Sequence, residues 1–331
     1  MKKQILILMA IIAVFSACKK DAVNTGKNGK GTVPVTFNIG YSQSTGGYGV
    51  SNNGSRLGAH ALASVDPVLA ANAKTLYIAI YQSDGTRLYL TKQLSTDTVF
   101  GKAQYNLPPG TYTVVFAAGQ NNFFYSGTAL ANDNLVYSAP LSGGGTDNSW
   151  QDTFFLKESL TVTSTGINQS VTLPRIDSQV IVDIEDAVPS NVKFIQVVAN
   201  DNSFTTGYPT FTINTATPTG NTGTVIAHSS LTTPITTGGK NTKFAFILLN
   251  SSKTYIVQIT AADQLPVGGY NGTISGQQIA YARVGGVAIQ AGHQTMLNGQ
   301  LFGGNGMTNT GGFQVTLDPV WDPNTTTIPF Q

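Results

Sequence analysis

The sequence predicts an all-β protein made of two tandem antiparallel β-sandwiches. Three observations carry this expectation. Short segments alternate apolar and polar residues with a period of two, Gly, Asn and Pro clusters separate them, and the same order of segments recurs in the second half. Charged residues are 10% of the chain, against about 25% in an average soluble domain. Gly, Ser, Thr and Asn take their place, which suits tight turns and strands with hydroxyl-bearing outer faces.

In chain order, the first alternating segment is Val35, Phe37 and Ile39. The stretch from Leu62 to Ala73 is the one plausible short helix, limited by Pro67. Leu76, Ile78 and Ile80 then alternate with Tyr77, Ala79 and Tyr81, and Tyr112, Val114, Phe116 and Ala118 follow the turn Leu107-Pro108-Pro109-Gly110. Later strands are expected at Val180, Val182 and Ile184; at Phe194, Gln196 and Val198; at Phe244, Phe246 and Leu248; and at Tyr255, Val257 and Ile259. Phe313, Val315 and Leu317 close the series.

Three of these segments repeat in order. Val35-x-Phe37-x-Ile39 answers to Val180-x-Val182-x-Ile184, 145 residues on. Thr111-Tyr112-x-Val114-x-Phe116 answers to Thr254-Tyr255-x-Val257-x-Ile259, 143 residues on. Between them, the run from Leu76 matches the run from Phe194 at an offset of 118, because residues 41–72 form a longer loop in the first half. The expected sandwiches span 33–174 and 175–331, with the seam at Leu173-Pro174-Arg175.

The N-terminus carries a signal. Lys2 and Lys3 precede an apolar run from Ile5 to Phe15, shorter than the roughly 20 residues a membrane-spanning helix needs. Ser16-Ala17-Cys18 follows, and small residues just before a cysteine resemble the bacterial lipobox, in which the thiol is acylated and becomes the mature N-terminus. Residues 1–17 are thus expected to be a signal peptide, and residues 18–32 a lipidated cysteine with a flexible Gly-, Lys- and Asn-rich leash. Multiple acyl chains anchor stably where one does so only marginally. Lys19 and Lys20 after Cys18 favour delivery to the outer membrane, with the cell surface as the expected location. Cys18 is the only cysteine, so no disulfide is available to the fold.

The strands and turns, with the lipobox, resemble the fimbrillin superfamily of lipoprotein fimbrial subunits and anchors. The resemblance rests on Cys18, on Leu76–Tyr81 followed by Asp84-Gly85, and on Leu107-Pro108-Pro109-Gly110-Thr111-Tyr112. It rests further on Leu173-x-Arg175 ahead of Val180-Ile181-Val182-Asp183-Ile184, and on a closing strand with Trp321. It implies transthyretin-like sandwiches, N-terminal acylation, and assembly with other fimbrial subunits by strand complementation. Polymerising subunits of that family are cut after an arginine behind their first strand, and Arg56 is the candidate here. An uncut, anchor-like form is the preferred expectation.

Other chemistries find little purchase. With residues 1–17 removed, 16 basic side chains face 16 acidic ones, which argues against nucleic acid as a partner. His60, His228 and His293 lack metal-ligand spacing. Asp183, Glu185 and Asp186, and Asp318 with Asp322, are expected to be solvated strand ends and not calcium ligands. No nucleophile elbow, phosphate loop or His-Glu-x-x-His motif occurs, so no catalytic residue, cofactor or enzyme activity is expected. Loop aromatics could stack on sugar. Tyr41, Tyr48, Trp150 and Tyr270 are among them, and Phe123, Phe124 and Tyr125 form the most suggestive cluster. The alternative functions are therefore a glycan-capturing surface lipoprotein of an uptake system and a non-polymerising adhesin.

Overall fold

Alternation becomes strand throughout a computed structural model that describes residues 31–41, 67–120, 123–137, 150–200, 210–219, 225–231, 238–249, 254–264, 276–303 and 313–318. The first half holds Val33–Tyr41 (β1), a short helix Pro67–Asn72 (α1), Thr75–Gln82 (β2), Arg87–Leu94 (β3), Lys102–Leu107 (β4) and Gly110–Gly119 (β5). It continues with Phe123–Ser126 (β6), Asn134–Tyr137 (β7), Thr153–Val162 (β8) and Ile167–Leu173 (β9). The second half holds Asp177–Ile184 (β10), Phe194–Asn200 (β11), Thr210–Thr212 (β12), Thr217–Thr219 (β13) and Val225–Leu231 (β14). Thr242–Leu249 (β15), Tyr255–Ala262 (β16), Gln278–Val287 (β17), Gln294–Gly299 (β18) and Gln314–Asp318 (β19) complete it. Within the expected helix, Pro67 takes the first helical position, where its missing N–H costs nothing.

The strands form five sheets, ordered β4-β1-β9, β3-β2-β5-β8, β15-β10-β18-β19, β14-β11-β16-β17 and β13-β12-β7-β6. Most neighbours are antiparallel, as expected. Two are not: β1 runs parallel to β9, and β10 parallel to β18. A period of two says which face is buried and nothing about strand direction, so alternation could not reveal them.

The internal repeat extends to register. Val35 stands opposite Ile167 as Val180 stands opposite Thr295. Phe37 stands opposite Ala103 as Val182 stands opposite Phe244. One expected match slips by a residue. Leu76 pairs with Ala118 and Ile195 with Ala261, so Leu76 corresponds to Ile195 and not to Phe194. The slip exchanges faces. Ile195, Val197 and Ala199 enter the main core of the second half, in place of the expected Phe194, Gln196 and Val198.

Three apolar clusters hold these layers. One lies between β4-β1-β9 and β3-β2-β5-β8, with Val35, Phe37, Ile78, Val114 and Phe116 at its centre. Its counterpart unites Val180, Val182, Val197, Phe244, Val257 and Leu297. The third covers the other face of β2 and β5, where Tyr77, Ala79 and Val115 meet Phe123, Leu135 and Phe211. That second covering explains why seven of the eight β2 residues are buried instead of every other one. It also joins the halves, because β12 pairs with β7 and Phe155 packs edge-on against Phe211 at 4.8 Å.

Candidate functional site: the β1 slot and the seam

β1 is an inner strand. It pairs with β4 over Val33–Asn38 and with β9 over Val35–Tyr41, and Ile39 N–H extends the first ladder to Gly101 O at 2.7 Å. Gly101 has φ +82°, and a Cβ there would come within 2.8 Å of Ile39 O, so glycine is what lets the turn approach β1 so closely. Val35, Phe37 and Ile39 are buried, and Phe37 meets Phe116 edge-on at 5.1 Å. Burial of each such side chain contributes about 1.5–3 kcal/mol.

The last β1 residue, Tyr41, ends on a charged cluster at the β9–β10 junction, the expected seam. Arg175 donates from Nε to Asp152 Oδ1 at 2.6 Å and from Nη2 to Asp152 Oδ2 at 2.7 Å, a bidentate pair. Asp177 Oδ1 lies 3.9 Å from the same Nε, and its Oδ2 accepts Thr153 N–H at 2.6 Å. The guanidinium sits 5.2 Å from the Phe154 ring centroid and 5.6 Å from that of Tyr41, and those rings pack edge-on at 4.6 Å. Strands β1, β8 and β10 therefore converge on one cation. Burial pushes Asp177 well above the ordinary carboxylate range, and the Asp152 charge pushes it further. Burial raises Asp152 as well, with Arg175 pulling the other way. Burial, the largest single effect, works against the charge of Arg175, but Asp152, Asp177 and Tyr41 together outweigh it and the pKa is raised.

Arg175 was legible only as part of the seam motif; Asp152 and Asp177 were not singled out. The signal available was an arginine between Pro174 and Ile176, with an acid two residues on, in a chain poor in charge.

The aromatic cluster is rearranged. Phe123, Phe124 and Tyr125 belong to strand β6, not to a loop, so their side chains alternate. Phe123 is buried against Tyr77, and Phe124 is 44% exposed. Tyr125 turns inward to Tyr81, whose hydroxyl donates to Asp133, and Arg87 Nη1 pairs with the same Asp133 carboxylate at 3.1 Å. Burial, the largest cause, raises the Tyr81 and Tyr125 hydroxyls far above their ordinary range. Trp150, expected in a loop, is buried and bridges to Ile247.

Among the acids read as solvated ends, Asp186 instead accepts backbone N–H groups of Leu301 at 3.0 Å, Phe302 at 2.5 Å and Gly303 at 2.6 Å. Asp183 is buried and lies 3.4 Å from Lys243 Nζ. His293 is buried just before β18, with Nδ1 2.9 Å from Ala291 O. Among the described residues, no group of three or more His, Cys, Asp or Glu could hold a metal. No helix among them is long and apolar enough to cross a membrane. Cys18, Arg56, Tyr48, His60, Tyr270, Trp321 and Asp322 lie outside the described residues.

Several solved structures are similar to this chain. A candidate adhesin from Bacteroides ovatus shares 15% identity at a TM-score of 0.46, over 87% of this chain and 92% of that one. The fimbrial anchor protein Mfa2 from Porphyromonas gingivalis shares 13% at 0.43, over 86% and 97%. The tip fimbrial protein Mfa3 from the same organism, truncated at its C-terminus, shares 10% at 0.40, over 88% and 100%. No curated protein matches the sequence. The model of the family of unknown function DUF6562 matches residues 60–331, and the chain belongs to that family.

Proposed function

We propose that this protein is a non-enzymatic surface lipoprotein that serves as a structural component of a fimbria-like assembly. It is anchored in the outer membrane through acylated Cys18, and two sandwiches, 33–174 and 175–331, form its body. The observation that carries the proposal is the position of β1. It is paired on both sides and buries Val35, Phe37 and Ile39, yet it is followed by a long segment containing Arg56 and preceded by the leash from Cys18. Loss of β1 would open a slot between β4 and β9, lined by apolar residues, that only another strand could satisfy.

In this molecule the strand stays. β1 is covalently continuous with Cys18, so cutting after Arg56 would part the sandwich from its membrane tether. The uncut form makes the protein an anchor, and its partners are other fimbrial subunits. For the glycan alternative, Phe124 is the one residue of the Phe123–Tyr125 cluster with a largely open face.

Mass spectrometry of the native protein, with fatty-acid labelling of wild type and Cys18→Ala, tests the proposal. The expected result is an intact acylated N-terminus on a chain uncut at Arg56, with label absent from the variant. A mature N-terminus at Leu57 would make it a polymerising subunit, and equal labelling of both would end the lipoprotein assignment.

A further inference from the structure

We propose that the outer edge of β9 is a second strand-acceptor site, open while β1 is in place, and that its occupant is the β19 segment of another copy of this chain. The inference rests on the strand-complementation reading above, but it concerns a different edge and needs no cleavage.

The internal repeat identifies the edge. In the second half the parallel pair β10–β18 is followed by an antiparallel fourth strand, β19, with Gln294 opposite Asp318 and Asn298 opposite Gln314. In the first half the corresponding pair β1–β9 ends the sheet, and among the described residues β9 has no second partner. The connection that follows β9 supplies none, because only Pro174, Arg175 and Ile176 separate β9 from β10. The core shows the missing cover. Ile167 and Gln169 are half-buried, whereas their register equivalents Thr295 and Leu297 beside β19 are fully buried.

The edge is also unguarded. Natural edges are blunted by charge, proline, bulges or brevity. The described edge strands follow that rule: Lys102 on β4, Arg87 and Lys92 on β3, Lys157 and Glu158 on β8, Lys243 on β15 and Asp318 on β19. Register shifts mark β14 and β17, β13 contains Pro218, and β6 has four residues. β9, Ile-Asn-Gln-Ser-Val-Thr-Leu, has neither charge nor proline, and seven consecutive residues pair with β1 without a shift. Such an edge is a template for a neutral alternating strand, which is what Gln314–Asp318 offers up to its final residue. Carrying the β18–β19 register onto β9 places Thr316 opposite Asn168 and Val315 opposite Gln169.

Disulfide trapping tests the inference. The host is the full chain carrying Cys18→Ala, which removes the only native thiol, together with Asn168→Cys. Its fold is checked against Cys18→Ala alone by circular dichroism and thermal unfolding. The probe is a synthetic peptide of residues 312–319 with Thr316→Cys, and the control peptide carries Val315→Cys, which the same register sets opposite Gln169 and not Asn168. Under mild oxidation the first peptide should give at least tenfold more adduct than the control. No adduct, or equal adduct from both, overturns the inference. Adduct formed only on a parallel host with Met296→Cys, the residue opposite Thr316 on β18, overturns it too, since the peptide has then merely displaced β19. Trapping at position 168 by a protein that never co-purifies with a surface polymer would sink the fimbrial reading alone, while co-purification without trapping would sink this inference alone.

Discussion

Arg175→Met isolates the seam. The substitution keeps an unbranched stem of similar reach and deletes the cation, leaving Asp152 without its bidentate partner and Asp177 without its nearest positive charge. The three side chains are 4%, 13% and 0% exposed, in the order Arg175, Asp152, Asp177, so solvent screens little of the loss. Removing one partner of a buried pair costs about 3–5 kcal/mol. Part of the effect is independent of pH, because the guanidinium also packs on Tyr41 and Phe154, contacts worth roughly 1–2 kcal/mol together. The remainder has a definite sign. Burial already raises both carboxyls above the value of the unfolded chain, and loss of the arginine raises them further. The folded variant then holds protons that the unfolded chain has released, so its stability falls as pH rises from about 4 through those raised values. The deficit relative to wild type should be about 1–2 kcal/mol near pH 4 and about 3–5 kcal/mol at pH 7, measured by urea unfolding. A neutral-pH melting temperature lower by on the order of 10 °C would accompany it. Equal deficits at the two pH values, or less than about 1 kcal/mol at pH 7, would refute an electrostatic seam.

Three further outcomes are expected. Asp177→Asn keeps an acceptor for Thr153 N–H while removing the charge, so between pH 4 and 7 stability should fall less steeply than in wild type; an unchanged slope in a pH series of urea unfolding would contradict this. Phe37→Ala empties the centre of the first core, where the ring contacts Tyr105 and Phe116, and should cost about 3–5 kcal/mol; a loss under about 1 kcal/mol would mean β1 is not packed as described. Gly127→Ala should destabilise by at least about 1–3 kcal/mol, because φ is +105° and the new Cβ would fall 2.6 Å from Asn132 O and collide with Asp133 Oδ1. Gly85→Ala, with Leu130 Cβ at 3.7 Å, is the milder comparison, and the order of the two melting temperatures checks the geometry.

The strand content and the order of segments were legible in the sequence. Val35-x-Phe37-x-Ile39 and Val180-x-Val182-x-Ile184 each place one apolar face on one core, and period-two alternation encodes that directly. What alternation cannot encode is direction, the covering of a second face, or which distant segment lies alongside. Tertiary structure alone decided that β1 lies parallel to β9, and that Tyr77, Ala79 and Tyr81 are as buried as Leu76, Ile78 and Ile80. It likewise turned Phe123 and Tyr125 inward, because a loop segment became a strand and strand side chains alternate. The candidate site divides in the same way. β1 could be read from its pattern, but the cation that receives its end could not. Arg175, Asp152 and Asp177 are neighbours of Tyr41 only because β1, β8 and β10 converge, and buried charge is tolerated only where its partners are brought together by the whole fold.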